Sequence, residues 1–544
     1  MFKRLLTSVS ALALGILPVG AQNVYPPVIP GGASLLPLNN TWSGKNTFTG
    51  PVIIPNNCTT SQSLGMDATG ASDNYSILNT WLATQGSAPA YNICLSFGPG
   101  KFKFLTAPTI TVPDPLWSTS STTSNSIGTG TKTFTVASCT GITPGTTAFA
   151  YHTSSNVMSG TVTSCSAGTL TLNITTINNG GGGPYTAWGL VQSYLGGANT
   201  GSVTFVGQGM DTTTLLMSGG ISGFTFQFAG LIQTAVIQGM SIVSDTTGGQ
   251  PVACLALNNS YPFLGAEQSI VQVRNIACRG ADGYGAVDYW TTNFSVTGLS
   301  NINFDGIIAY GDNTTLHGTG LSFYNPGANG CVPSPDTSPW QCGENYNIRD
   351  SYFNNLNYGI FYGANTQFVQ VTSTQFLQDQ KGIIASSTGG TNFAQGLTLT
   401  GDVFWAYQEQ LDDLYGIRNT QIIGNFFAMN PSHYAIFEAP NWAVTIVGNT
   451  FTTYVTTPLG AISFNGTSND LSVIAGNVIS NAVGAIPTCV SLGVSTSGVF
   501  IYGNTFSGCT VTIVNNGTNN LVGVTGSGAT TGSNTVVQGI TIQQ

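Results

Sequence analysis

Asp379, Glu409, Asp412 and Asp413 are the side chains of this sequence whose type and spacing best suit acid–base chemistry. Two carboxyl groups can share one reaction, the first giving a proton while the second acts as base or nucleophile. Hydrolysis of a glycosidic bond is built on such a pair. It needs carboxyl groups about 5–5.5 Å apart for retention of configuration, or about 6.5–9.5 Å apart for inversion. Lys381, Arg418, His433 and Glu438 lie close enough in the chain to support the pair with charge and hydrogen bonds. Trp405 and Tyr407 share the stretch with Glu409, and flat aromatic faces suit sugar rings; Trp290, Tyr310 and Trp442 extend that set.

These residues stand out because charge is scarce. The 544 residues carry only 11 Lys+Arg and 20 Asp+Glu, or 6% charged side chains, against roughly 25% in an ordinary soluble domain. Between Glu267 and Glu438 there are 14 acidic and 5 basic residues, and beyond Arg418 there is no Lys or Arg. His317 and His433 fall in the same band. Any polar cleft is therefore expected on the middle of the chain. A net charge of -9 excludes a general nucleic-acid or anionic-membrane binder, which needs a basic face. The hydrophobic share of 41% is too high for charge-driven disorder.

Some element must bring these groups together, and a repeat supplies it. Ile423-Gly424-Asn425-Phe426-Phe427, Val447-Gly448-Asn449-Thr450-Phe451, Ala475-Gly476-Asn477-Val478-Ile479 and Tyr502-Gly503-Asn504-Thr505-Phe506 share one pattern, with glycine steps of 24, 28 and 27 residues. Gly401-Asp402 continues it upstream with a step of 23. Self-similarity at a nearly fixed period marks a stacked array. Short alternating strands with Gly, Asn or Thr corners, and no sustained 3.6-residue periodicity, point to a parallel β-solenoid. Registered on Phe353, Phe376, Phe404 and Phe427, the array places Asp379 and Lys381, Glu409 with Asp412 and Asp413, and His433 with Glu438 on one edge of consecutive turns. Turns stack at strand spacing, so groups one turn apart are about 5 Å apart and groups two turns apart about 10 Å. Either glycosidase separation is available. Asp402 and Asp350 occupy the corner position of the repeat and read as turn residues. Asp282 and Asp288 flank a Gly-rich loop open to calcium, but no EF-hand-like ligand run is present. No metal or cofactor is expected.

The array opens with Gly65-Met66-Asp67-Ala68-Thr69-Gly70-Ala71-Ser72-Asp73, followed by a helical pattern with Ile77, Leu78, Trp81 and Leu82 on one face. Asp73 is its expected N-cap and Gly86 its stop. Phe97-Gly98-Pro99-Gly100-Lys101-Phe102 then reads as a turn between strands. At these residues the chain resembles the pectate-lyase superfamily of right-handed parallel β-helices, which open on a Gly-Ala-Asp-x-Thr-Gly segment, a capping helix and a Pro-Gly-x-Tyr-like turn. The resemblance implies an all-β, right-handed parallel β-helix acting on polysaccharide. Met66 and Phe102 depart from the pattern. Of the polygalacturonase-like segments, only Asp412-Asp413 has a counterpart. Asn40–Gly50 and the stretch Gly128–Trp188 resemble phage tail-fibre or tailspike material. Tailspikes are commonly trimers, so a homotrimer is carried as an implication of that resemblance.

The expected organisation is a secretory signal over 1–21, a tail-fibre-like linker over 22–57, the cap and first turns over 58–117, a small inserted β module over 118–192, and β-helix repeats over 193–544. Lys3 and Arg4, a short apolar run and Val19-Gly20-Ala21 form the signal pattern. Ten cysteines in an exported chain favour disulfides. Neighbour pairing would join Cys58 with Cys94, Cys139 with Cys165, Cys254 with Cys278, Cys331 with Cys342 and Cys489 with Cys509, although sequence leaves connectivity open. The functional expectation is an exported polysaccharide hydrolase using paired carboxylates. The alternatives are a polysaccharide lyase, a non-catalytic glycan-binding or adhesive protein, and a trimeric tailspike-like fibre.

Overall fold

The computed structural model describes residues 58–523 and 530–532, leaving aside 86–91, 113–116, 154–155, 179–181, 193–200, 229–232, 246–249, 260–269, 284–286, 314, 325–343, 364–365, 387–394, 407, 413–418, 439–442, 454–457 and 465–470. The expected signal and linker, Tyr407, Asp413, Arg418, Trp442, Cys331 and Cys342 lie outside the described residues.

Alternating burial makes each repeat three short strands. One coil runs Gln395–Thr400, Val403–Trp405 and Leu411–Asp412; the next runs Gln421–Ile423, Phe426–Met429 and Tyr434–Glu438. Each strand pairs in parallel with its counterpart one coil on: Thr398 with Gln421, Phe404 with Phe427, Leu411 with Ile436. The result is three long ladders around one core, a parallel β-helix. Two ladders merge into a 25-stranded sheet because Gln233–Ser244 and Ile270–Gly280 each run through both, and the third ladder has 13 strands.

The phenylalanines chosen as register marks are a physical stack. Phe353, Phe376, Phe404, Phe427 and Phe451 are fully buried, with ring centroids 5.0, 4.6, 4.9 and 4.8 Å apart and planes within 8° of parallel. Identical residues at identical positions place their rings at coil spacing. The Gly-Asn pairs form the corner between the first two ladders. Gly401, Gly424, Gly448, Gly476 and Gly503 all have φ between +62° and +68°, a left-handed conformation that costs glycine least. The following Asn425, Asn449 and Asn477 each accept a hydrogen bond from the backbone N–H of the preceding coil and donate to the next Asn side chain. Asp402 heads this ladder: its Oδ1 accepts the Thr374 N–H at 2.8 Å and its own N–H donates to Asn425.

The helix Tyr75–Gln85 covers the first coil with Leu78 and Trp81. Asp73 Oδ1 accepts the Tyr75 N–H at 3.0 Å, but the carbonyl that opens the helix is that of Asn74, which accepts the Leu78 N–H, so the cap falls one residue after the expected Asp73. Asp67 accepts hydrogen bonds from the Thr69 side chain and from the Ser72 and Thr69 backbone, which hold its carboxyl down at about 2. Strands between 118 and 192 form a six-stranded antiparallel sheet with its own core, including Phe134, Met158, Leu172 and Trp188. Cys58–Cys94, Cys139–Cys165, Cys254–Cys278 and Cys489–Cys509 are bonded. The last two join consecutive coils, as their separations of 24 and 20 residues imply. No helix among the described residues is long and apolar enough to cross a membrane.

Candidate functional site

The corner between the second and third ladders carries the polar groups. Its register follows from the flanking strands: Ile383 pairs with Leu411, so Lys381 and Glu409, each two residues earlier, sit one coil apart. Leu411 pairs with Ile436, which brings His433 alongside Glu409 on the next coil. Backbone bonds Lys381 N–H to Asn357 O, Gln408 N–H to Gln380 O and Gln410 N–H to Ala435 O hold the corner in step.

Three side chains on three successive coils then meet. Glu409 Oε1 lies 2.7 Å from His433 Nδ1, and Oε2 lies 3.6 Å from Lys381 Nζ. The side chains are 18% (Glu409), 30% (His433) and 21% (Lys381) exposed, so the contact is partly screened yet open to a ligand. Partial burial opposes the charge on Glu409, but the hydrogen bond to His433 and the charges of His433 and Lys381 outweigh it and hold the carboxyl below its usual range. An ionised carboxylate only accepts hydrogen bonds. His433 Nδ1 must therefore carry a hydrogen and donate it to Glu409, which leaves Nε2 outside that bond.

Gln410, which sequence reading overlooked, shapes this loop. It is fully buried; its Oε1 accepts the Ala406 N–H at 2.7 Å and its Nε2 donates to Ala428 O at 2.8 Å. These bonds tie Gln410 to Ala406 on its own coil and to Ala428 on the next, beside Glu409. A polar residue directly before the inward-facing Leu411 was the available signal.

The other expected site residues separate. Asp379 is on the same corner but is turned into the core and fully buried. Its Oδ1 accepts the Leu356 N–H at 3.0 Å, and burial pushes its carboxyl well above the usual range. It does not join Glu409 as a solvent-facing acid or base, because its carboxyl is held inward by the Leu356 N–H. Asp412 lies on the third ladder between Ile384 and Phe437, and Glu438 beside Phe464. Trp405, half exposed, ends the strand before the Glu409 loop. Tyr310 is half-buried and packs its ring 5.6 Å from Tyr352. Trp290 is fully buried, its Nε1 donating to Arg279 O at 3.2 Å, so it serves the core rather than a binding face. Asp282 Oδ2 accepts the Val287 N–H and the Asp288 N–H, which makes it a loop-closing residue. Among the described residues no three His, Cys, Asp or Glu side chains gather as metal ligands would.

No protein-family model matches the chain, and no curated protein matches it in sequence. Solved structures match it in fold. The A-module of a mannuronan C-5 epimerase of Azotobacter vinelandii superposes with a TM-score of 0.50 at 12% identity, over 88% of this chain and 100% of that one. The catalytic unit of an alpha-1,3-glucanase of Streptomyces thermodiastaticus gives 0.43 at 13% identity, over 88% and 70% of the two chains. Tailspike protein 3 of bacteriophage CBA120 gives 0.44 at 10% identity, over 87% and 59%. At such identities the likeness to the epimerase module establishes the parallel β-helix fold.

Proposed function

We propose that this is an exported polysaccharide hydrolase, with Glu409 as the ionised carboxylate of its acid–base pair. The observation that carries the reading is the contact of Lys381, Glu409 and His433 across three successive coils. Glu409 held below its usual pKa suits a base or nucleophile at neutral pH. The second carboxyl is assigned to Asp412 or Asp413. Asp412 is three residues further along the same coil, so its Cα is at most about 11 Å from that of Glu409, which leaves either glycosidase separation within reach.

Charge favours a neutral substrate. The described turns between the second and third ladders carry Asp282, Asp288, Asp312 and Glu409, against Lys381. A polyuronate would meet repulsion there, whereas a neutral glycan would not. One observation favours a second reading: His433 is held through Nδ1 by Glu409, the arrangement of a carboxylate-oriented histidine that could move a proton beside a uronate carboxylate in a lyase. The products decide. Reducing ends without ultraviolet absorbance, lost in Glu409→Gln, support hydrolysis. Products absorbing as unsaturated uronates would replace it with elimination, and glycan binding with no turnover would leave an adhesive protein.

A further inference from the structure

A second group of polar side chains lies on the same corner, outside the Glu409 contact. The loop 311–318 leads into Thr319–Tyr324. That strand connects through Tyr358–Gly363, Lys381–Ser386 and Leu411–Asp412 to Tyr434–Glu438. His317 therefore stands four coils before His433, about 19 Å along the axis at strand spacing.

His317 is an exposed residue whose ring is nevertheless fixed. Its side chain is 54% exposed, while that of Asp312 beneath it is 6% exposed. Thr315 Oγ1 donates to Asp312 Oδ2 and lies 2.7 Å from His317 Nδ1, which is itself 3.4 Å from Asp312 Oδ2. A hydroxyl has one proton to give. Since Thr315 gives it to Asp312, its oxygen must accept from His317, so Nδ1 carries a hydrogen and is used within the loop, while Nε2 lies outside that bond. The Tyr289 ring, from the previous coil, stacks on the imidazole at 5.2 Å and 21°. The loop itself is tight. A Cβ on Gly311 would come within 2.1 Å of Asn355 O and 2.3 Å of His317 O, and Leu316 N–H bonds Asp312 O. Half-buried Tyr358 lies between Thr319 and Lys381 in the ladder, so the corner continues toward Glu409.

Fixing an exposed imidazole from two sides gives nothing to the core. It does present one hydrogen-bonding ring nitrogen beside an aromatic ring, with little ordering cost when a ligand arrives. We infer that Tyr289, Asp312, Thr315 and His317 form a second saccharide site, which takes a pyranose of a neutral polysaccharide by a hydrogen bond between a sugar hydroxyl and His317 Nε2. The polysaccharide then runs along the helix axis from His317 to Glu409. This inference rests on the reading of the corner as a polysaccharide track.

The test is affinity electrophoresis of the full chain in dextran, galactomannan and xyloglucan, with reducing-end release measured in parallel. At least one polysaccharide should retard the wild type. His317→Ala and Tyr289→Ala should weaken that retardation about three- to tenfold, the range of one lost hydrogen bond. His317→Gln, whose side-chain oxygen can accept in place of Nε2, should retain most of it. Thr315→Val, which releases the ring without removing it, should fall between. Glu409→Gln should lose reducing-end release and still be retarded. Unchanged retardation in His317→Ala and Tyr289→Ala, with wild-type melting temperatures, overturns the second site and leaves the Glu409 reading intact. Weakened binding in those variants beside full cleavage by Glu409→Gln supports the second site and overturns the role of Glu409. Retardation of the wild type by none of the three polysaccharides overturns the track and the second site together.

Discussion

Asp379 and Glu409 show how far two carboxylates one coil apart can diverge. Glu409 reaches His433 and Lys381 and stays ionised; Asp379 is sealed in the core and favours its neutral form. Glu409→Gln should lower turnover about 10²–10⁴-fold, the usual worth of one acid–base group, with no change in circular dichroism. Turnover within a few-fold of wild type would remove Glu409 from the chemistry. Asp379→Asn should behave oppositely. The amide oxygen can still accept the Leu356 N–H, so activity should persist. Because burial raises the folded pKa of Asp379, its stability contribution is present below the ordinary carboxylate range and is lost as pH rises. Thermal melts should therefore show Asp379→Asn gaining on wild type at mildly alkaline pH and converging with it in acid.

At the scale of elements, the corner ladder and the Phe stack carry the coil-to-coil register. Asp402 is the one carboxylate in a row continued by asparagines, and burial raises its pKa to about 7. The sign is the same as for Asp379: stability is full below about pH 4, where the unfolded chain also holds the proton, and is lost as pH rises through about 7. A shift of that size corresponds to about 4 kcal/mol at its limit. Asp402→Asn would extend the amide row and should raise the melting temperature above neutral pH, with little effect in acid. Equal gains at both pH values would mean that ionisation is not the cause. Phe404, with buried rings 4.6 and 4.9 Å on either side, should cost about 3–5 kcal/mol as Phe404→Ala, read from denaturant unfolding.

For the whole molecule, scarce charge is compatible with this architecture because backbone groups pair from coil to coil, and amide side chains satisfy the corners. The tailspike resemblance carries the proposal of a homotrimer. Sedimentation of the chain lacking residues 1–21 should then give three times the chain mass, and a clean monomer would count strongly against it.

The sequence by itself determined the repeat. Glycine steps, Phe register and cysteine spacing read directly as coils, stacked rings and inter-coil disulfides, because each depends on a short local pattern that recurs. It also placed Lys381, Glu409 and His433 on one edge, since strand register carries flanking positions with it. Only the tertiary structure decided which corner side chains face outward. That choice depends on groups supplied by other coils: the Leu356 N–H that draws Asp379 inward, and the Ala428 carbonyl that Gln410 reaches beside Glu409. Trp290 belongs with Asp379, since Arg279 on the preceding strand offers the carbonyl that lets its indole be buried. Such partners lie 11 to 23 residues away in the chain, beyond the reach of any local pattern.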